Sequence, residues 1–175
     1  MKMMQMTAVS LIILSSTTAW AAATRLHTTK SVALDASADA VWSTVKDFDR
    51  LNTWHPAVAK DEIVEGKADH VGAVRLLTLK DGGTIKEKLL ARSGAQRMFK
   101  YSILEGVLPV SDYTSTFTVK STGKNKSTAT WSGNFKRKNP GDNPGDKEND
   151  KTATDTIGAV YQAGLDNLKK MVEAK

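Results

Sequence analysis

Residues 112–120 read DYTSTFTVK. Within them Thr114, Thr116 and Thr118 alternate with Tyr113, Ser115, Phe117 and Val119. Side chains in a strand point to opposite faces with a period of two, so the threonines share one face and the aromatic and aliphatic residues the other. That is a β-strand with one buried face. Tyr113 and Ser115 carry hydroxyls into it, and a core built on this strand has to satisfy them.

The same period extends in both directions. Alternating runs at 58–65, 72–80, 84–92, 97–104, 112–120 and 126–138 read as six strands, broken by turn signals such as Asp81-Gly82-Gly83 and Ser121-Thr122-Gly123. Before them, Leu26, Val32 and Leu34 share one parity and predict a first strand over 26–34. Ser37 then caps a helix that carries Val41, Trp42, Val45 and Phe48, with Asp39 in its first turn. A further short turn from Asp49 carries Leu51 and Trp54, and Pro56 ends it by pushing His55 out of the helical region. Residues 139–150, rich in Asn, Pro, Gly and Asp, form an exposed loop. Beyond it Ile157, Val160, Tyr161, Gly164, Leu165, Leu168 and Val172 fall on one face of a long closing helix.

This order predicts an α+β fold: a seven-stranded curved antiparallel sheet around a long C-terminal helix, with two short helices after the first strand. The sheet buries its apolar face by wrapping around that helix, and a cavity between the two is the expected by-product.

The N-terminus reads differently. Lys2 precedes an apolar run at Leu11-Ile12-Ile13-Leu14 and then Ala19-Trp20-Ala21-Ala22-Ala23, the pattern of a secretory signal peptide. Residues 1–21 are expected to be removed, leaving a single domain over 22–175 in the periplasm. No apolar run approaches the roughly 20 residues that a spanning helix needs, so stable membrane insertion is not expected. The chain has no cysteine, which excludes disulfides, thiolate metal sites and cysteine nucleophiles. Its net charge of +6 comes from lysines spread over many segments. Such a surface argues against nucleic acid and suits steering toward an acidic protein partner.

Several polar residues share parity with apolar neighbours. Arg75 lies among Ala73, Leu77 and Leu79, and Glu87 among Ile85, Leu89 and Ala91. The two runs form a hairpin, so Arg75 and Glu87 can meet inside the domain as a structural ion pair or as a ligand anchor. Trp131 stands in line with Ala129, Gly133 and Phe135, a large ring beside a small gap that could admit a ligand. Tyr113, Tyr161, Trp54 and Trp131 are equally readable as core residues. His55 has aromatic and proline neighbours that hold it in place, whereas His27 and His70 lie near the N-terminus and in a turn. No nucleophile elbow, HExxH, P-loop or GxGxxG occurs, so no catalytic residue, metal or cofactor is assigned.

Four segments, DASADAVWSTVKDFDRLNTWHPAV (35–58), GAVRLLTLKDGGTIKEKLL (72–90), YSILEGVLPVSDYTSTFTV (101–119) and DTIGAVYQAGLDNLKK (155–170), together resemble the START-like, or SRPBCC, superfamily and its polyketide cyclase/dehydrase-type branch. The resemblance implies the helix-grip fold. With its signal peptide and size the chain is also similar to the periplasmic MxaD-type proteins associated with methanol oxidation, which implies help to a methanol dehydrogenase in meeting its cytochrome. The same segments are similar to those of plant abscisic-acid receptors. That likeness implies a gate at Lys80, Asp81, Gly82 and Gly83, a latch from Glu105 to Leu108 and Pro109, and a pocket touched by His55, Glu87, Tyr113, Ser115 and Tyr161, with Arg75 close by. His55 stands where those receptors hold a carboxylate-binding lysine, and the Leu-Pro pair lies in the latch instead of the gate, so hormone recognition is not implied.

The expected function is a non-catalytic periplasmic module that binds a small hydrophobic or amphipathic ligand through His55, Arg75, Glu87, Tyr113, Ser115, Trp131 and Tyr161, assists a periplasmic dehydrogenase or cytochrome, or does both. The alternatives are a cyclase/dehydratase-like enzyme, in which His55 or Glu87 moves a proton while Arg75 or Tyr113 stabilises an oxyanion, and a lipid or quinone carrier.

Overall fold

The computed structural model describes residues 24–174; the expected signal peptide, residues 1–21, lies outside them. Seven strands occupy Leu26–Leu34 (β1), Val58–Glu65 (β2), Val74–Leu79 (β3), Thr84–Ser93 (β4), Met98–Gly106 (β5), Val110–Gly123 (β6) and Lys126–Arg137 (β7). They form one antiparallel sheet in the order β1-β7-β6-β5-β4-β3-β2. Every neighbour after the first pair is a hairpin, because turns at Asp81-Gly82-Gly83 and Gly123 are short enough to reverse the chain directly.

Two short elements follow β1, as the sequence implies. The helix α1, Ala38–Val45, starts where the Ser37 hydroxyl accepts the Ala40 N–H at 3.3 Å, and it buries Ala38, Val41, Trp42 and Val45. Leu51–Thr53 is a single 3₁₀ turn. The closing helix α2, Asp150–Glu173, is capped by Asn149, whose side-chain oxygen accepts the Thr152 N–H at 2.8 Å. Its buried stripe is Ala153, Ile157, Gly158, Tyr161, Gly164, Leu165, Leu168 and Val172.

The sheet grips α2 at two glycines. A Cβ on Gly133 would stand 2.2 Å from the Tyr161 hydroxyl, and one on Gly164 would stand 2.6 Å from His55 Cδ2 and 2.9 Å from Trp131 Cζ3. Helix backbone, imidazole and indole therefore meet with no spare volume. The gap beside Trp131 that the sequence offers to a ligand is filled by Tyr161, whose ring stacks on the indole with centroids 4.7 Å apart. This corrects the sequence expectation: strand parity shows what one strand omits but not which helix residue enters the space.

β2 begins with a bulge between Val58 and Lys60, which turns Asp61 and Ile63 inward after Val58. β5 and β6 pair only from Met98↔Thr118 to Ser102↔Thr114, although β5 stays paired to β4 as far as Gly106 and β6 to β7 at Val110 and Ser111. Beyond Ser102 the two strands part, leaving a wedge in the sheet.

Gly164→Ala is expected to cost about 1–2 kcal/mol in urea unfolding, because overpacking of roughly 1–3 kcal/mol outweighs the gain of up to about 1 kcal/mol in helix propensity. An equally or more stable variant would show that His55 and Trp131 do not rest against the helix backbone.

Candidate functional site

Between the concave sheet and α2 lies a cavity of about 60 Å³. Its walls are almost wholly carbon, from residues that include Leu51, Leu77, Leu79, Ile85, Ile103, Leu108, Ile157 and Val160, with His55, Glu87, Tyr101, Tyr113 and Trp131 around them. Outside it, the wedge between β5 and β6 is an open groove of about 730 Å³, lined in part by Arg25, Leu104, Glu105, Val110, Asp112 and Lys138. Ile103, Leu108 and Tyr113 line both spaces, so these three side chains are the partition between groove and cavity.

The mouth of the wedge is tied by Lys138, whose Nζ donates to the Gly106 carbonyl at 2.8 Å and whose backbone N–H donates to Pro109 at 3.0 Å. Asp112 adopts φ +48° at the irregularity of β6 and pairs with Lys136 at 2.9 Å. The gate and latch that the resemblance implies are adjacent loops. A Cβ on Gly83 would come 2.9 Å from Val107 Cγ2, and the Val107 N–H donates to Thr84 at 3.1 Å. Asp81, Gly82, Gly83 and Pro109 do not line the cavity, whereas Leu108 does.

Arg75 and Glu87 face each other across β3 and β4, as the hairpin predicts. Glu87 Oε2 accepts Arg75 Nε at 2.8 Å and lies 2.6 Å from Nη2. Asp61, which the sequence reading did not single out, completes the cluster: its Oδ2 lies 3.3 Å from Arg75 Nη1 and accepts the Leu51 N–H at 2.8 Å, while Oδ1 is buried without a partner. Arg75 Nη1 also donates to the Phe48 carbonyl, and the guanidinium lies 4.2 Å above the Phe48 ring. Burial raises both carboxyls above their ordinary range despite the opposing charge of Arg75. For Arg75 burial works against the charge, but Glu87 and Asp61 outweigh it and hold the group above its usual value. Arg75 thus acts as the internal ion-pair partner and does not line the cavity.

The hydroxyls form a relay with a single direction. Trp131 Nε1–H donates to Tyr101 at 3.0 Å, and the Ser115 hydroxyl donates to the Ser132 carbonyl at 2.9 Å. With the serine proton so placed, the 2.9 Å contact between Ser115 and Tyr161 is a bond donated by Tyr161. Tyr113 then donates to Tyr161 at 2.6 Å, and Tyr101 to Tyr113 at 3.3 Å. Burial pushes the phenols of Tyr101 and Tyr113 well up and that of Tyr161 to about 12, so all three keep their protons at neutral pH. Of this relay only Trp131, Tyr101 and Tyr113 touch the cavity; Ser115 and Tyr161 sit behind it. Tyr101 was legible only as a core position in its strand, since nothing in one strand shows that it joins Trp131 to Tyr113.

His55 is pinned through both nitrogens. Nε2 lies 2.9 Å from the Val160 carbonyl, to which it donates, and Nδ1 accepts the Ala57 N–H at 3.2 Å. This assigns the neutral Nε2–H tautomer, and burial lowers the pKa below the ordinary histidine value. His55 therefore bolts the turn before β2 to α2 and presents ring carbon to the cavity.

Residues 25–173 match the family described as polyketide cyclase/dehydrase and lipid transport. The chain belongs to this family. Its sheet wrapped around α2 is the helix-grip fold of the START-like superfamily. Among solved members, the protein XoxI from Bacillus cereus is 32% identical, with a TM-score of 0.74 over 84% of this chain and 95% of its own. An uncharacterized protein from Bacillus thuringiensis is likewise 32% identical, with a TM-score of 0.74 over 85% and 99% of the two chains. The ZhuI aromatase/cyclase from Streptomyces sp. R1128 shares the fold at 20% identity, with a TM-score of 0.69 over 86% and 94%.

Because the folded pKa of His55 is lowered, its stabilising contribution is complete above the unfolded value of about 6.5 and is lost as pH falls from there toward the folded value. The stability advantage of the native chain over His55→Gln is therefore expected to shrink as pH drops below about 6.5 in denaturant titrations. A constant difference across that range would show that the imidazole is not held neutral.

Proposed function

We propose that this chain is a periplasmic, non-catalytic member of its family that binds a small hydrophobic ligand in the cavity between the sheet and α2. The observation that carries the reading is the three-residue partition: Ile103, Leu108 and Tyr113 line both the apolar cavity and the open groove. As it stands the cavity, at about 60 Å³, is far below the roughly 300 Å³ of an ordinary small-molecule pocket. A ligand enters by displacing Leu108, which sits on the loop between β5 and β6, where the strands have already parted.

The enzyme alternative finds less support in the same geometry. Arg75 spends its donors on Glu87, Phe48 and Asp61, Tyr113 spends its proton on Tyr161, and His55 uses both nitrogens. Both candidate oxyanion stabilisers and His55, one of the two candidate proton carriers, are thus already engaged, while Glu87 is held by Arg75 through Oε2. Help to a periplasmic dehydrogenase and its cytochrome belongs to the same proposal. It draws on the signal-like N-terminus, the net charge of +6 and the exposed Leu104 and Val107 beside the groove. A partner met in this way gives an association rate that falls with salt.

Native mass spectrometry of the chain purified without denaturation is expected to show a retained small molecule. In titrations, toluene is expected to shift the indole N–H resonance of Trp131, and Leu108→Trp, which plugs the entry, to weaken that binding at least about tenfold. Protein that carries no ligand and takes up no toluene would defeat the proposal.

A further inference from the structure

The protons inside the cavity are already committed, and this decides what kind of ligand it can hold. Among the polar side chains that line it, Trp131 gives its N–H to Tyr101, His55 gives Nε2–H to Val160, Tyr101 gives its proton to Tyr113, and Tyr113 gives its own to Tyr161. None of these donors is free to turn toward a ligand without breaking a buried bond. What remains is acceptor capacity. The phenol oxygens of Tyr101 and Tyr113 each already accept one bond, from Trp131 and from Tyr101. Glu87 lines the cavity too, with both guanidinium contacts on Oε2 and no partner for Oε1 among the described residues.

Glu87 is the ionised carboxylate of its cluster. It holds the two short contacts to a guanidinium that is always charged, whereas Asp61 touches Arg75 only at 3.3 Å and keeps one oxygen unpartnered. A surplus proton therefore belongs on Asp61 and not on Glu87. Two carboxylates around one guanidinium also leave the local field negative or neutral, never positive.

We infer that the cavity selects small apolar ligands that carry a hydrogen-bond donor, a phenolic or alcoholic O–H or an ammonium N–H, over isosteres that can only accept. The inference rests on the ligand-binding reading above and adds the chemistry of the ligand to it. An acceptor-only ligand, such as an ether, a ketone or a quinone, finds no free donor in the walls and gains nothing from Glu87 Oε1. A carboxylate in addition meets the charge of Glu87. A donor satisfies Glu87 Oε1, which otherwise stays without a partner, and leaving a buried partner unpaired is what makes such sites discriminating.

The test uses the intact chain at neutral pH, titrated with phenol, benzyl alcohol, anisole and toluene and followed by the indole N–H resonance of Trp131. Phenol and benzyl alcohol are expected to bind at least about tenfold more tightly than anisole and toluene. Equal binding of anisole or toluene and phenol would overturn donor selection while leaving the ligand site standing. Tighter binding of anisole would show that the relay runs the other way and would also overturn it. If none of the four moves the Trp131 resonance, the ligand site itself is refuted, and the inference with it.

Discussion

The hydroxyl of Tyr161 in the space left by Gly133 is the contact on which the rest of the molecule depends. A sheet with one apolar concave face needs a single cover, and α2 supplies it. Seating α2 requires a place where a ring can reach past the side-chain layer of the sheet. Gly133 opens that place, Gly164 does the same in reverse for His55 and Trp131, and the ring of Tyr161 stacks against the indole between them. The helix is thereby fixed in both rotation and depth.

Once α2 is seated, the polar groups of the core arrange themselves into two closed systems. One is the relay from Trp131 through Tyr101, Tyr113, Tyr161 and Ser115 to the Ser132 carbonyl, in which each hydroxyl both gives and receives. The other is Arg75 with Glu87, Asp61 and the Phe48 carbonyl. Neither is a general stabiliser, since a well-packed apolar core of equal volume would serve as well. Their effect is to tie β3, β4, β5, β6, β7 and α2 to one geometry, and to leave between them a small apolar space beside Glu87, whose Oε1 has no partner among the described residues.

Much of this was legible beforehand, and what was not has a physical cause. The hairpin register of Arg75 and Glu87 followed from two alternating runs joined by Asp81-Gly82-Gly83. The inward hydroxyls of Tyr113 and Ser115 followed from the threonine alternation. Asp61 was hidden because a bulge after Val58 changes which parity faces inward, and a bulge leaves no mark in the hydrophobic pattern. Tyr101 was hidden because its partner lies on β7, two strands away. The parting of β5 from β6 was hidden for the same kind of reason: each strand keeps its pairing on one side and loses it on the other, and the period of two persists regardless.

By itself the sequence determined the elements, their order and the face each strand buries, because these depend on periods of 2 and 3.6 and on local caps such as Ser37. It also determined that hydroxyls, an arginine and a carboxylate must be reconciled inside. Only the tertiary structure decided how. Proton direction along the relay, the second carboxylate at Arg75, the pinning of both His55 nitrogens and the three-residue partition at the cavity all arise where residues far apart in the chain meet. Such meetings depend on depth and rotation of α2 against the sheet, quantities that no local period encodes.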